Sequence, residues 1–246
     1  MKRIAIALGL MMATMTASSA SELKLIVGGS LAPLFRELGP QFEKASGHTL
    51  SIHFDSTPNI ITRINAGTPF DAVVVPADVF RDAAAKSKLA EPTLNIARVG
   101  YGVIVRAGAA KPDLSTPDAF KKALLAAPSV SSVPSSAAGA YIARVYERLG
   151  IADQMKAKTR AEAAPTAIAP AVARGDAELG IFLTNVFNAP GIELAGPFPA
   201  DLQQELIFPA AVAADAKEPS AAKALIDFLK TPDAIAVIKA SGMTPG

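Results

Sequence analysis

The chain reads as an α/β protein built in two lobes, and three observations predict it. Apolar runs of strand length alternate with amphipathic runs of helix length from Leu23 onward, which implies mostly parallel sheets flanked by helices. Two strand-like runs, Gly100–Arg106 and Glu205–Val212, bracket a middle section that has strand–helix units of its own, so they read as strands crossing between lobes. Two further strands run into hydroxyl-bearing helix starts, Gly28-Gly29-Ser30 and Ser56-Thr57-Pro58. In such sheets ligands lie beyond the carboxyl ends of the strands. The expected division is 1–20 as an export leader, 21–99 plus 210–246 as lobe one, and 100–209 as lobe two.

The elements follow in order. Met1-Lys2-Arg3, an apolar Ile4–Met15 stretch and Ser18-Ser19-Ala20 make a basic, hydrophobic and small-residue succession, the pattern of a secretory signal peptide cleaved after Ala20. Leu23–Val27 is a buried strand. Pro33–Ser46 is a helix closed by Gly47, and Thr49–Phe54 alternates as a half-exposed strand does. Pro58–Ala66 is a helix stopped by Gly67, Ala72–Val75 is a buried parallel strand, and Asp78–Ser87 is a helix. After Gly100–Arg106, Ser115-Thr116-Pro117-Asp118 starts a helix with its cap first and proline early. Val130–Val133 is a strand. Ala138–Leu149 is a helix with Tyr141, Val145 and Leu149 on one stripe. Ala167–Arg174 is a short helix, Leu179–Leu183 and Ile192–Leu194 are strands, and Glu205–Val212 returns to lobe one. Ser220–Leu229 and Pro232–Ser241 are the last helices.

Composition removes several function classes. The chain has 24 basic and 22 acidic residues. Loss of Lys2 and Arg3 with the leader leaves 22 against 22, and no basic cluster interleaves with aromatics, so no nucleic-acid partner is expected. No apolar run after Ala20 is long enough to span a bilayer, so the protein is not expected to be membrane-embedded. There is no cysteine, so an exported chain must hold itself by its core. His48 and His53 are the only histidines, and no metal-ligand spacing, G-x-G-x-x-G or Walker pattern appears, so neither metal nor cofactor is expected.

What remains points to an anion. A helix N-terminus presents unpaired N–H groups and the positive end of the helix dipole. Ser30 adds a hydroxyl there, and Gly28 and Gly29 let a ligand come close to the backbone. Ser56 and Thr57 repeat the arrangement. Each could equally be an N-cap that serves only its own helix. Ala138 and Gly139 open the helix after Val133 and could offer backbone donors from lobe two, or be a plain connection. Thr184 follows Leu183 at a strand end. Arg63 and Arg98 could pair bidentately with a carboxylate or lie solvated. His53, Asp55 and Ser56 tempt a triad reading, but no nucleophile elbow surrounds the serine. A secreted serine hydrolase stays as the alternative from another class.

Together these residues resemble the periplasmic molybdate-binding proteins of ABC importers. The resemblance rests on Gly29-Ser30-Leu31, on Ser56-Thr57 followed by Ile61-Thr62-Arg63-Ile64-Asn65-Ala66-Gly67, and on Phe70-Asp71-Ala72-Val73-Val74. It rests further on Ala138-Gly139 before Arg148-Leu149-Gly150, on Ala173-Arg174-Gly175-Asp176-Ala177-Glu178-Leu179-Gly180-Ile181, and on the tail Phe228–Pro232. It implies a type II periplasmic binding fold whose lobes close on a tetrahedral oxyanion held by hydroxyls and backbone N–H groups. By motif, Ser30, Ser56 and Ala138 match three binding positions. A fourth, backbone donor falls at Pro165, which has no N–H, so Thr166 or Ala167 would have to supply it. The family's tyrosine hydroxyl falls at Leu183. These departures turn the expectation from molybdate toward a small organic carboxylate. The resemblance implies a monomeric, non-enzymatic periplasmic protein that delivers its anion to an ABC permease at the inner membrane. A sensory or scaffold protein of the same fold is the remaining alternative.

Overall fold

The computed structural model describes residues 20–246. The expected leader therefore lies outside the described residues except for Ala20. The chain begins with β1 (Glu22–Gly28), a 3-10 turn at Gly29–Leu31, α1 (Ala32–Ser46), β2 (Thr49–Asp55), α2 (Thr57–Asn65) and β3 (Ala72–Val74). It continues through α3 (Ala83–Lys86), β4 (Leu94–Arg106), α4 (Pro117–Ala126), β5 (Val130–Ser132), α5 (Ala137–Arg148), α6 (Ala152–Lys158) and β6 (Thr159–Ala161). It ends with α7 (Ile168–Arg174), β7 (Leu179–Leu183), β8 (Ile192–Pro197), β9 (Glu205–Val212), α8 (Pro219–Phe228), α9 (Pro232–Ala240) and β10 (Thr244–Pro245).

The strands lie in the order β2-β1-β3-β9-β4-β7-β5-β6, with β8 and β10 also paired to β4. Within each half the strands are parallel, β1 with β2 and β3 on one side, β5 with β6 and β7 on the other. The two crossing strands β4 and β9 run antiparallel to their neighbours and to each other. The two-lobed α/β architecture is thus present, with its antiparallel pairs confined to the strands that join the halves. The 13-residue β4 does most of the joining. Its first part pairs with β9 and its second with β7 and β8.

Period-two alternation on β1 shows why helices cover both faces. Leu23, Leu25 and Val27 pack into the large core beside Leu34, Phe35 and Leu38 of α1, while Ile26 joins Ile60, Ile64 and Val73 beneath α2. A strand buried on both sides reads as continuous apolar sequence. Burying each such side chain stabilises the fold by about 1.5–3 kcal/mol. Helix ends follow local chemistry. Thr116 and Thr231 cap α4 and α9 through Ala119 N–H and Ala234 N–H, and Gly47 closes α1 in the left-handed conformation, φ 76°.

Four expectations change. The helix expected over Asp78–Ser87 is a 3-10 turn at Ala77–Arg81 followed by α3. Asp82 breaks it, sitting extended and accepting Ala85 N–H at 2.8 Å as a cap. The strand expected from Gly100 begins at Leu94, because its opening residues pair with β9 through an irregularity that disturbs the alternation. Ile192–Leu194 extends to Pro197, since β8 follows β4 across its own irregularity between Val103 and Ile104. α6 and β6 carry no strong apolar signal. Of them only Met155 is buried, and β6 is an edge strand fixed by its pairing with β5. Among the described residues no helix is long and apolar enough to cross a membrane, and no group of three or more His, Cys, Asp or Glu could hold a metal ion.

Candidate functional site

A cavity of about 230 Å³ lies where the carboxyl ends of strands from both halves meet. From one side come the turn after β1 and the start of α2. From the other come the start of α5 and the turn before α7. Ser30, Gly29, Ser56, Thr57, Ala138 and Thr166 all line it. A Cβ on Gly29 would stand 3.4 Å from Asp55 O and 3.6 Å from Pro165 Cδ, ordinary van der Waals distances that place this turn between the two walls.

The hydroxyls separate into spent and unspent. Thr116, Ser136 and Thr231 each accept an N–H of their own helix. Ser56 holds the N-cap position of α2 without such a bond. Ser30, 6% exposed, sits in the 3-10 turn, and neither of the two hydroxyls has a hydrogen-bond partner among the described residues. A cap that leaves its own helix unserved has its hydroxyl free for something else.

The backbone donors sort in the same way. At the start of α5, Ala137 N–H donates to Thr57 Oγ1 across the cavity at 3.3 Å, Gly139 N–H to Ser136 Oγ at 3.0 Å, and Ala140 N–H to Ser136 O at 2.9 Å. Ala138 N–H is the donor of that turn left over among the described residues. Before α7, Ala167 N–H bonds Ala164 O at 3.0 Å and Pro165 has none. Thr166 therefore carries whatever that turn can offer. Leu183 and Pro165 line the cavity as apolar wall.

Four residues singled out in the sequence lie elsewhere. Gly139 has spent its N–H, and a Cβ there would sit 2.2 Å from Val133 O, so glycine is required for the strand–helix turn itself. It lines a groove beside Tyr146 instead. Thr184 turns its hydroxyl to Gly100 O at 3.4 Å and packs on Gly102 of β4. Arg63 is in the last turn of α2, away from the Ser56 end, and borders a surface depression with His53. Arg98 lies on β4 in an exposed pair with Glu205 at 3.6 Å.

Two charged residues that were not among the expected ligand contacts reach the cavity, Arg36, which sequence reasoning passed over, and Asp55, which it weighed only as part of a triad. Arg36 stands one turn after Ala32, and both line the cavity; that spacing was the available signal. Asp55 accepts Ser56 N–H at 2.7 Å, Asn59 Nδ2 at 2.8 Å and lies 3.2 Å from His53 Nε2. Burial acts to raise its pKa, but the hydrogen bonds from Asn59, Ser56 and His53 together outweigh it, and the carboxyl is held below its ordinary value. Asp55 therefore stays ionised. His53 is bonded to Asp55 and not to the Ser56 hydroxyl, so the three residues do not form a nucleophilic relay.

A family model described as bacterial extracellular solute-binding protein matches residues 23–244. The chain is 31% identical over 239 residues to a protein named aconitate isomerase from a Pseudomonas species, covering 94% of this chain and 90% of that one. It is 27% identical over 248 residues to the molybdate-binding protein ModA of Azotobacter vinelandii, covering 98% and 97%. Among solved structures, the periplasmic molybdate-binding protein of Azotobacter vinelandii superposes with a TM-score of 0.73 at 21% identity, over 90% of this chain and 98% of that one, a likeness of fold.

Proposed function

The chain belongs to the bacterial extracellular solute-binding proteins, and on that footing we propose that it captures a small organic anion, a carboxylate, in the cavity between its lobes. The observation that carries the reading is the convergence of unspent donors. Ser30 and Ser56 hydroxyls come from one side, and Ala138 N–H with Thr166 from the other. Donors fixed at helix starts hold negative charge without moving. The walls choose among anions. Where the resemblance to molybdate-binding proteins implies two more donors, this chain offers Pro165 and Leu183. A tetrahedral dianion would face apolar carbon there and lose solvation without return, whereas a carboxylate attached to hydrocarbon meets both kinds of wall. The relative named for acting on aconitate, an unsaturated tricarboxylate, supports the same class.

In this reading lobe one is 21–99 with 210–246 and lobe two is 100–209. The lobes close over the ligand by hinge motion, and the closed form presents it to an ABC permease of the inner membrane. The protein works in the periplasm as a monomer, and binding is its whole activity. Isomerisation of the bound acid is the second reading, favoured by the aconitate isomerase relative. Against it, Asp55 is the cavity's carboxylate and its lowered pKa makes it a weak base for a C–H proton.

Calorimetry with molybdate, sulfate and a panel of mono-, di- and tricarboxylates tests the proposal. A carboxylate should bind, and Ser30→Ala with Ser56→Ala should abolish its heat. Unchanged affinity in that double variant would sink the site. Incubation of trans-aconitate in D₂O followed by NMR should show neither isomer conversion nor deuterium uptake; either one would favour the isomerase.

A further inference from the structure

We propose that Arg36 selects for ligands with two or more carboxylates, one seated at the helix starts around Ser30 and Ser56 and a second held by the Arg36 guanidinium at the cavity mouth. The proposal rests on the reading that the cavity takes an organic anion. Arg36 is exposed and lies in the first turns of α1. Side chains on a helix lean toward its N-terminus, so this one lies back over the turn that carries Gly29 and Ser30. It borders the same cavity they do.

Its charge is uncommitted. Arg81, Arg98 and Arg174 each pair with a carboxylate at 2.9, 3.6 and 2.7 Å. Arg36 pairs with none among the described residues. Asp55, the carboxylate on the same cavity, is occupied by Ser56 N–H, Asn59 and His53. A guanidinium presents a planar fork that fits a carboxylate bidentately.

Size argues the same way. The 230 Å³ cavity holds the equivalent of about seven or eight waters at roughly 30 Å³ each. Phe54, Phe182, Leu183 and Leu206 also line the cavity with carbon, which suits a short hydrocarbon chain joining one carboxylate to another.

The test is calorimetry of the purified chain with tricarballylate, glutarate, butyrate and molybdate, on wild type, Arg36→Gln and Arg36→Lys. Wild type should bind tricarballylate or glutarate at least about tenfold more tightly than butyrate. R36Q should lose about 10- to 100-fold for the polycarboxylate, the range for a charge-assisted contact, and leave butyrate unchanged. R36K, which keeps the charge without the fork, should fall between and confirms a folded site. The proposal is overturned if R36Q preserves the polycarboxylate preference or weakens all carboxylates equally. Binding of molybdate alone also overturns it while leaving anion capture standing. Binding of none of the four removes anion capture and this proposal together.

Discussion

Ser56 and Thr116 hold the same position, the N-cap of a helix with proline in its first turn, and do different things. Thr116 Oγ1 accepts Ala119 N–H at 3.1 Å, while Ser56 makes no such bond. Thr116→Ala should therefore lower stability by about 1 kcal/mol and leave affinity alone. Ser56→Ala should change stability little and weaken ligand binding about tenfold, the loss of one hydrogen bond to a charged group. Thermal melts beside calorimetry separate the two; the reverse pattern would mean that both serve their helices. Asp55 predicts a pH effect. Its folded pKa is lowered below 3.8, so its contribution to stability is full above that value and is lost as pH falls through the lower folded value. Asp55→Asn should flatten the acid limb of the Tm–pH curve below about pH 4, and an unchanged limb would show that the Asn59, Ser56 and His53 contacts carry nothing. Ser30 and Ser56 were legible in the sequence because a strand, a glycine or cap and a helix follow one another locally. Arg36 was not. Its spacing puts it on a helix, but only the meeting of distant segments around Pro165 and Ala138 turns that helix face into a cavity wall.

Among the elements, α5 shows how packing sets the site. Ser136 caps it twice over, accepting Gly139 N–H and donating its own hydroxyl to Val133 O at 2.7 Å. The chain can turn this sharply out of β5 because Gly139 has no side chain. An added Cβ would meet Val133 O at 2.2 Å and Pro134 O at 2.6 Å, both backbone atoms that cannot rotate away. Gly139→Ala should cost about 1–3 kcal/mol through overpacking and should also weaken binding, since it pushes Ala138 N–H out of line. Denaturant melts and calorimetry check the two effects together; loss of stability with full affinity would show that Ala138 is not a donor. The sequence carried this helix because its apolar stripe is periodic. It did not carry β6, whose residues are mostly exposed and whose place depends on hydrogen bonds to β5. It also read Gly139 as a ligand contact, because a glycine needed for backbone room and one needed for ligand approach look alike in one dimension.

At the scale of the whole molecule, the two halves touch through polar contacts that involve no ligand. Asn185 Nδ2 donates to Ser30 O at 2.7 Å in a buried position, and Ala137 N–H donates to Thr57 Oγ1 at 3.3 Å across the cavity. Both join a residue of the candidate site to the opposite wall, so the proposed site and the proposed closure would share parts. Closure that is partly paid before the ligand arrives raises apparent affinity, because affinity scales with the fraction of molecules already competent to bind. Thr57→Val keeps the volume and removes the acceptor. One neutral hydrogen bond is worth about 0.5–1.5 kcal/mol net, so the open population should grow and affinity fall by about 2- to 10-fold. Small-angle scattering of the ligand-free variant should show a larger radius of gyration, and saturating ligand should return it to the wild-type value. Weaker binding with unchanged ligand-free dimensions would place Thr57 in contact with the ligand itself. An unchanged affinity would mean that the cross-cavity bond does not hold the lobes.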